Sequence, residues 1–332
     1  MSTREDSLTL AAAGDAMITR RISSFAHPAF LELIDLVRGA DASVVNLEVG
    51  LHDYSGYPTG TPTGTYMRAP PTMIDELTWA GFDLFPAAVN HSFDYCYGGM
   101  EATMGELEAR DVAYAGIGRN LAEARSPAYF DSTGGRVGLV AACATIPTPA
   151  MIAGEQRRDM QGRPGISPLR HEPRYVVTPE ALERLRGISE SLGIEDIKRE
   201  KAESSYAYLY GSDEEGGFNF LNVNYGPDLV FEAGDEPRIY RQPDPDDVRG
   251  ITEQIDVADR QADWVVASLH HHEGADGLTG GATVPEFART FAHACVEAGA
   301  DVFVAHGSHC LRGVEVYEGA PIFYGLGNFI AQ

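Results

Sequence analysis

The fold of this chain is decided by the stretch AAVNHSFDYCYGG, residues 87–99. Its apolar beginning ends in Asn90, His91 and Asp94, which predicts a buried strand followed by a loop that carries an amide, an imidazole and a carboxylate. Four other apolar segments end in the same way. They carry at their ends Asp15, Glu48, the run His270–His272, and the pair His306 and His309. Because parallel strands end at one rim of a sheet, we predict that all five ends converge on a metal-assisted acid/base site.

Around these strand ends the sequence alternates between strands and helices. Apolar runs such as SLTLAAAGDAM and ASVVNLEVG read as buried strands. Helical spacing follows them, as in HPAFLELIDLVRGA, where Phe30, Leu33, Ile34 and Val37 recur on one face. The alternation runs to Ala144 and resumes near residue 245, which predicts an α/β fold with helices on both faces of a layered sheet.

Residues 147–245 break this rhythm with proline-rich and acidic segments. We predict one domain over residues 1–332, with this stretch inserted as a lid or specificity region; disordered linker is the alternative for its polar parts. The long polar loop at residues 52–71 is expected to be either a binding element or disordered. The chain stops within the strand-like segment FYGLGNFIAQ, so we expect a C-terminal portion to be missing.

The formal net charge of −24 restricts the partners. General nucleic-acid binding and attachment to anionic lipid both require basic surface, so neither a nucleic acid nor a membrane is expected as a partner. The sequence also contains no run of about 18 apolar residues that would span a bilayer. The acidity is explained either by solubility or a salty environment, or by attraction of cations or of a basic peptide.

Two scarce residue types bear on the cofactor and the compartment. The chain has two lysines, Lys198 and Lys201, in a polar helical segment, whereas a pyridoxal-phosphate enzyme needs a buried lysine for its Schiff base. Pyridoxal phosphate is therefore not expected. The four cysteines are widely spaced without a CxxC pair, which is typical of reduced thiols and a cytoplasmic protein.

The strand ends offer both hard and borderline metal ligands. Oxygen comes from Asp15, Glu48 and Asn90, and nitrogen comes from the histidines. Oxygen donors favour calcium, magnesium or manganese, while imidazoles favour zinc, iron or manganese, so the mixed set leaves the metal open. We expect calcium, manganese or magnesium ahead of zinc. His91 with Asp94 fits a proton-transfer base that is oriented by a carboxylate.

The ordered motifs GDAM, NLE, VNHSFD, SLHHHEG, AGADVFVAHGSH and YGLGNF resemble those of the CapA-type capsule-synthesis family, a branch of the calcineurin-like metallophosphoesterase superfamily. The resemblance covers residues 8–145 and 250–332. It implies a calcineurin-like layered β-sandwich flanked by helices, with a metal centre at the strand ends and His91 as the acid/base histidine beside it. The metal-site positions that it implies are Asp15, Glu48, Asn90, His270, His306 and His309.

This chain departs from the superfamily at three ligand positions. Met17 stands where an Asp-x-His motif has its histidine, Glu48 replaces a bridging aspartate, and Gly307 with His309 represents the closing His-x-His. A thioether is a poor ligand for a hard cation. A weakened or single-metal site is badly suited to activating water between two metals, but it still suits proton exchange beside a polarised carboxylate.

A branch of the family is associated with ribosomally made peptides, in which a CapA-like protein inverts the C-terminal residue of a lasso-peptide precursor, and this chain resembles that branch. We therefore predict a cofactor-independent, metal-dependent peptide epimerase with one acid/base group on each face of the Cα. One face is assigned to His91 with Asp94. The other is assigned to a histidine of the 270–272 run, with His271 preferred, or to His306, paired with Asp15. Arg68 is a candidate to hold a substrate carboxylate.

Two other functions remain open. A hydrolase of the same fold, cutting a phosphoester or a γ-glutamyl amide, would need an intact two-metal ligand set, and the substitutions at Met17 and Gly307 count against it. An accessory role in poly-γ-glutamate export would be expected to bring an N-terminal membrane anchor, and MSTREDSLTL does not resemble one.

Overall fold

The apolar runs assemble into two mainly parallel sheets. The computed structural model describes residues 7–60, 64–204, 217–220, 229–274 and 281–332. The strands described are β1 (Leu10–Met17), β2 (Ala42–Leu47), β3 (Gly50–Leu51), β4 (Arg68–Ala69), β5 (Leu84–Pro86), β6 (Ala113–Ala115), β7 (Ile117–Gly118), β8 (Ala128–Ser132), β9 (Gly135–Cys143), β10 (Gly165–Ile166), β11 (His171–Val177), β12 (Gly217–Asn219), β13 (Val230–Ala233), β14 (Arg238–Pro243), β15 (Trp264–His270), β16 (Val302–His306), β17 (Val314–Tyr317), β18 (Ala320–Phe323) and β19 (Asn328–Ala331). The helices described are α1 (Pro28–Arg38), α2 (Met73–Ala80), α3 (Cys96–Ala109), α4 (Leu121–Arg125), α5 (Pro179–Ser191), α6 (Ile194–Ala202), α7 (Pro245–Asp259) and α8 (Glu286–Glu297).

The first sheet has the strand order β19-β1-β2-β5-β6, and all of its pairs are parallel. The second sheet has the order β17-β18-β16-β15-β9-β8, with a parallel centre and antiparallel strands at both edges. Every residue of β2 is buried, as expected for a central parallel strand covered on both faces. The carboxyl ends of the parallel strands are the positions at which the sequence carries its polar side chains.

Three apolar cores arrange the chain in four layers. Side chains from both sheets, among them Val44, Leu84, Leu139 and Val266, pack together between the sheets. The outer face of the first sheet packs against α1, α2 and α3, and the outer face of the second packs against α7 and α8. This helix–sheet–sheet–helix order confirms the predicted α/β class.

Helix α8 shows how the sequence forms these layers. Phe287, Phe291 and Cys295 recur at intervals of four residues and are all buried, so the helix presents one apolar stripe to the second sheet. Complete burial of a phenylalanine side chain is worth roughly 2–3 kcal/mol, so this stripe suffices to dock the helix.

Much of the segment predicted as an insertion forms a small sheet of its own. Its strand order is β12-β13-β11-β14, and α5 and α6 accompany it. It contacts the main layers through His171, whose ring lies 4.6 Å from that of Phe287. The acidic run at residues 210–216 lies outside the described residues, and the division of the chain into domains stays a prediction.

The end of the chain passes from the second sheet to the first. β17 and β18 do form an antiparallel hairpin at the edge of the second sheet. The chain then crosses to the first sheet, where β19 pairs in parallel with β1 and the Asp15 amide donates to the Gly327 carbonyl at 2.9 Å. The crossing depends on a pairing between opposite ends of the chain, which local periodicity does not indicate. Among the described residues, no helix is long and apolar enough to cross a membrane.

Candidate metal and acid/base centre

The polar ends of both sheets meet in one hydrogen-bonded chain. Asn46 donates from Nδ2 to Asp15 Oδ1 at 2.9 Å, and the same nitrogen lies 3.2 Å from His270 Nδ1. On the other side of that imidazole, His270 Nε2 lies 2.9 Å from Asn90 Oδ1. All of these side chains are buried. The strand ends of the first sheet are thereby joined to the end of β15 in the second, as the sequence predicted for their positions, while their roles remain predictions.

Glu48 is a buried carboxylate without a hydrogen-bond donor. Both of its oxygens lack a partner among the described residues, although the side chain is fully buried. Burial and the charge of Asp15 raise the pKa of Glu48 to about 8. Three imidazole nitrogens lie close to its Oε1: His270 Nε2 at 3.7 Å, His309 Nε2 at 3.9 Å and His272 Nε2 at 4.0 Å. Since a buried charge is costly unless it is paired, this carboxylate fits a bound cation.

Three side chains form a group that can hold a metal ion. Glu48, His272 and His309 each offer one ligand atom, and these atoms all lie within 4.8 Å of one another. His270 adjoins the group, with its Nε2 3.3 Å from that of His272. Burial lowers the pKa of His272 to about 4 and that of His270 well below its ordinary value, so both imidazoles are neutral and keep a lone pair near pH 7.

His309 forms a hydrogen-bonded pair with Asp15. Its Nδ1 lies 3.2 Å from Asp15 Oδ2 and 2.9 Å from Asn328 Oδ1, so the ring donates to both. The hydrogen bond to Asp15, together with the charges of Glu48 and Asp15, raises the pKa of His309 to about 9. The side chain is 38% exposed, in contrast to its buried neighbours. His309 is therefore a protonated imidazole that an incoming substrate can reach.

A second such pair is formed by His91 and Asp94. The two side chains are buried, and His91 Nδ1 lies 2.7 Å from Asp94 Oδ2, which also accepts from the Met67 amide at 2.7 Å. A carboxylate only accepts, so Nδ1 carries the proton and Nε2 is left as the basic nitrogen. The pairing expected from the sequence is present, and its catalytic use remains a prediction.

Two histidines that were predicted as catalytic contact other groups than His309 does, and their catalytic roles stay predictions. His306 is fully buried, and its Nδ1 lies 4.0 Å from Asp15 Oδ1 without a hydrogen bond, so the histidine that pairs with Asp15 is His309. The ring of His271 contacts Phe287 and lies 3.3 Å from Arg312 Nη1. The reason is the alternation of side chains along an extended chain, which places residue 271 on the face opposite to that of residues 270 and 272.

Arg68 is engaged with the loop after β3. Its Nη1 donates to the His52 carbonyl at 2.8 Å, and its guanidinium lies 3.9 Å above the Tyr54 ring. It also pairs with Asp53 at 3.4 Å. Its predicted contact with a substrate carboxylate remains untested.

Sequence reasoning missed His272 as a ligand, and it missed the two amides Asn46 and Asn328. Side chains alternate between the two faces of an extended chain, so a predicted ligand at His270 indicates His272, two residues further on, as a second candidate ligand. Asn46 is an amide within a fully buried strand, and such a residue needs a buried partner. Asn328 belongs to the quoted YGLGNF motif, but its contact with His309 requires the crossing of β19 to the first sheet.

The residues at two of the ligand positions discussed above, Gly307 and Met17, have structural explanations. Gly307 adopts φ +87°, and a Cβ there would lie 2.9 Å from His270 Nε2, so a side chain does not fit. Its amide instead lies 3.1 and 3.2 Å from the two Asp15 oxygens and holds that carboxylate in place. Met17 packs against the apolar core on the first sheet.

A second polar group supports the backbone of His272. Its amide donates to Thr145 Oγ1 at 2.8 Å, and that hydroxyl lies 3.0 Å from Glu273 Oε2. Burial opposes ionisation of Glu273, but His171 and His271 outweigh it and lower the pKa of this carboxyl to about 2. His171 Nε2 lies 3.5 Å from Glu273 Oε1, so the small sheet is linked to the centre.

Fold and site together define an α/β protein with a candidate metal centre between two sheets. The chain belongs to the family described as bacterial capsule synthesis protein PGA_cap, which matches residues 9–332. The predicted CapA-type membership is thus confirmed.

Several relatives are similar to this chain. The uncharacterized protein y4sH of Sinorhizobium fredii is 31% identical over 327 residues, which cover 98% of this chain and 66% of the relative. The capsule biosynthesis protein CapA of Bacillus anthracis is 21% identical over 98% of this chain and 60% of its own length. The chain therefore spans about two thirds of these relatives. A hypothetical protein from Thermus thermophilus aligns over 97% of this chain and 77% of its own, with a TM-score of 0.41 and 11% identity, too remote to support an inference.

Proposed function

We propose that this chain is a metal-dependent peptide epimerase on a calcineurin-like metallophosphoesterase fold. It inverts the Cα of the C-terminal residue of a ribosomally made precursor peptide, of the lasso class, without pyridoxal phosphate. The observation that carries the proposal is the presence of two histidine–carboxylate pairs, His91 with Asp94 and His309 with Asp15. The chain of Asn90, His270 and Asn46 connects them.

Inversion requires that one group remove the Cα proton and that another deliver a proton to the opposite face. His91 is assigned to removal, because its Nδ1 is held by Asp94 and its Nε2 is basic. His309 is assigned to delivery, since its pKa of about 9 keeps it protonated at neutral pH. After one inversion His91 carries the proton taken from Cα and His309 is neutral. Once the product leaves, His91 releases its proton to water and the partly exposed His309 takes one up from water, which restores both groups.

The residues of the centre fit a divalent metal, because Glu48 is buried beside the neutral His270 and His272 and receives no hydrogen bond from the described residues. Glu48 and His272 would hold the ion, with His270 and Asn90 adjoining. When bound, the ion supplies positive charge that stabilises negative charge on the substrate carboxylate. A carboxylate with two imidazoles suits manganese, iron or zinc better than calcium or magnesium, so manganese best satisfies both the sequence and the site.

His309 also lies within reach of the metal group, but one nitrogen cannot bind an ion and release a proton in the same step. We therefore assign His309 Nε2 to carrying the proton and not to binding the metal. His309→Asn should therefore abolish proton exchange and leave manganese affinity within about threefold of the unmodified protein, since Glu48 and His272 remain.

The test is deuterium exchange at Cα. A panel of synthetic peptides that differ in their C-terminal residue is incubated with the manganese-loaded protein in D₂O, and the α-proton is followed by NMR with chiral analysis. We expect one deuteron at the Cα of the inverted residue. Loss of a general acid should cost about 10²- to 10⁴-fold in rate for His309→Asn. His293→Asn is the matched control, because that imidazole stacks on Tyr317, 3.8 Å between ring centroids, outside the centre.

A hydrolase acting on a phosphoester or a γ-glutamyl amide is the second candidate. His272 favours the hydrolase, because its imidazole adds a nitrogen ligand to a site that had seemed, from Met17 and Gly307, to lack imidazoles. Turnover of p-nitrophenyl phosphate or γ-glutamyl-p-nitroanilide by the manganese-loaded protein, with no exchange in any peptide, would replace the epimerase by the hydrolase.

A further inference from the structure

A cavity rich in arginine lies beside the metal centre, in a chain whose net charge is −24. Its volume is about 420 Å³, within the range of ligand pockets. Strand β14 contributes Arg238 and Arg241, and helix α8 contributes Arg289. Glu286 is the carboxylate of the lining and lies 3.9 Å from Arg238. Three arginines and one glutamate thus line the cavity.

The local charge favours an anion despite the acidic surface elsewhere. Charges separated by more than about 8 Å are largely screened at physiological ionic strength, so the nearby arginines decide which ligand enters. Helix α8 begins at Glu286 on the cavity wall, and the N-terminal end of a helix carries partial positive charge. Both effects favour negatively charged oxygen.

One N–H group of the Arg241 guanidinium has no hydrogen-bond acceptor among the described residues. Its Nη1 lies 3.2 Å from His171 Nδ1, but its buried Nε–H has no acceptor among the described residues. Among the described residues no carboxylate pairs with Arg241, so a ligand carboxylate in the cavity would supply the missing negative charge.

The cavity is connected to the metal centre by short contacts. Gly274 lines it and follows His272 by two residues. Arg241 contacts His171, whose Nε2 lies 3.5 Å from Glu273 Oε1. The Glu273 carboxylate contacts the Thr145 hydroxyl, which accepts a hydrogen bond from the His272 amide. The arginine cavity and the metal centre are thus linked through one run of contacting side chains.

We propose that this cavity binds an acidic segment of the peptide substrate, through carboxylates held by Arg238, Arg241 and Arg289. The inference rests on the proposed function for the identity of the ligand as a peptide. It adds a specificity element outside the metal centre: the segment before the inverted residue carries at least one Asp or Glu.

Binding of fluorescent tetra-α-L-glutamate to the full chain tests this, with tetra-glutamine and inorganic phosphate as comparison ligands. We expect tetra-glutamate to bind at least tenfold more tightly than tetra-glutamine, with an affinity that falls as salt is added. The double variant Arg238→Gln, Arg289→Gln should bind tetra-glutamate at least tenfold more weakly. The double variant Arg238→Lys, Arg289→Lys should retain most of the affinity for tetra-glutamate. The matched control is Arg184→Gln with Arg249→Gln, which removes two exposed helix arginines outside the cavity.

The assignment would be overturned if tetra-glutamine bound as tightly as tetra-glutamate, or if the matched control lost as much affinity as the cavity variant. It would also be overturned if phosphate bound and tetra-glutamate did not, or if tetra-glutamate did not bind at millimolar concentration. Binding is measured without turnover, so its outcome is separate from that of the epimerase. If no peptide exchanges deuterium but tetra-glutamate binds through the arginines, the proposed function fails and the acidic-peptide cavity remains.

Discussion

At the scale of single residues, Glu48 is the most informative side chain. Glu48 is fully buried, and neither of its oxygens has a hydrogen bond among the described residues. Its pKa is raised to about 8, so its ionisation is costly unless positive charge lies nearby. His270 and His272 are neutral, and the protonated His309 is hydrogen-bonded to Asp15 and lies 3.9 Å from Glu48, so its single charge is shared by two carboxylates. A divalent cation supplies the remaining positive charge, which is why we interpret this carboxylate as a ligand.

The raised pKa of Glu48 predicts how metal binding depends on pH. Below about pH 8 the carboxyl is protonated in the metal-free protein, and a metal must displace that proton. Manganese affinity should therefore increase about tenfold per pH unit from about pH 6 to pH 8 and then level off. His272, with a pKa of about 4, is already neutral between pH 6 and pH 8, so it does not add to the pH dependence of manganese affinity there.

Isothermal titration calorimetry in two buffers of different ionisation enthalpy measures the affinity and the released proton. Glu48→Gln should bind manganese at least 10²-fold more weakly, without the pH slope. Glu76→Gln is the control, because Glu76 is a buried carboxylate bound by Arg21 and Ser23 away from the centre. An affinity independent of pH in the unmodified protein would show that Glu48 is not a ligand.

At the scale of elements, the ends of β15 and β16 shape the centre. The alternation along β15 directs His270 and His272 to the metal group, while His271 packs on α8 through Phe287. After β16 the chain turns at Gly307, whose positive φ and close approach to His270 leave no room for a side chain. The sequence revealed the substitution at this position, but the reason for it appears only in the packing.

Gly307→Ala should therefore damage both stability and metal binding. Alanine at positive φ costs about 1–2 kcal/mol, and its Cβ would also displace His270, adding roughly 1–3 kcal/mol. Gly319→Ala is the matched control, because its φ is +91° but no heavy atom lies within 4 Å of the added Cβ. Thermal unfolding and manganese titration compare the two. We expect a weakened manganese affinity in the Gly307 variant alone; equal stability and equal affinity in both variants would contradict the crowded geometry.

At the scale of the whole molecule, the sequence predicted what depends on local pattern. Runs such as ASVVNLE identified the buried strands, and polar residues at their ends identified Asp15, Glu48 and Asn90 as neighbours. The α/β layers follow from the same periodicity, since apolar stripes on helices such as α8 need a sheet to cover.

The features that the sequence did not predict depend on pairing between distant segments. β19 joins β1 across the length of the chain and brings Asn328 to His309. The arginine cavity depends on β14 lying next to α8, two elements that the sequence separates by more than 40 residues. His309 comes closer to Asp15 than His306 does, 3.2 Å against 4.0 Å, because the chain turns at Gly307 between them.

The central claim is that strand ends from two sheets hold one metal ion beside two proton carriers, and anomalous diffraction from manganese-soaked crystals tests it most directly. We predict one manganese peak within bonding distance of Glu48, from the first sheet, and of His272, from the second. A peak bound by residues of only one sheet, or an empty centre at a manganese concentration that saturates the protein in solution, would contradict it.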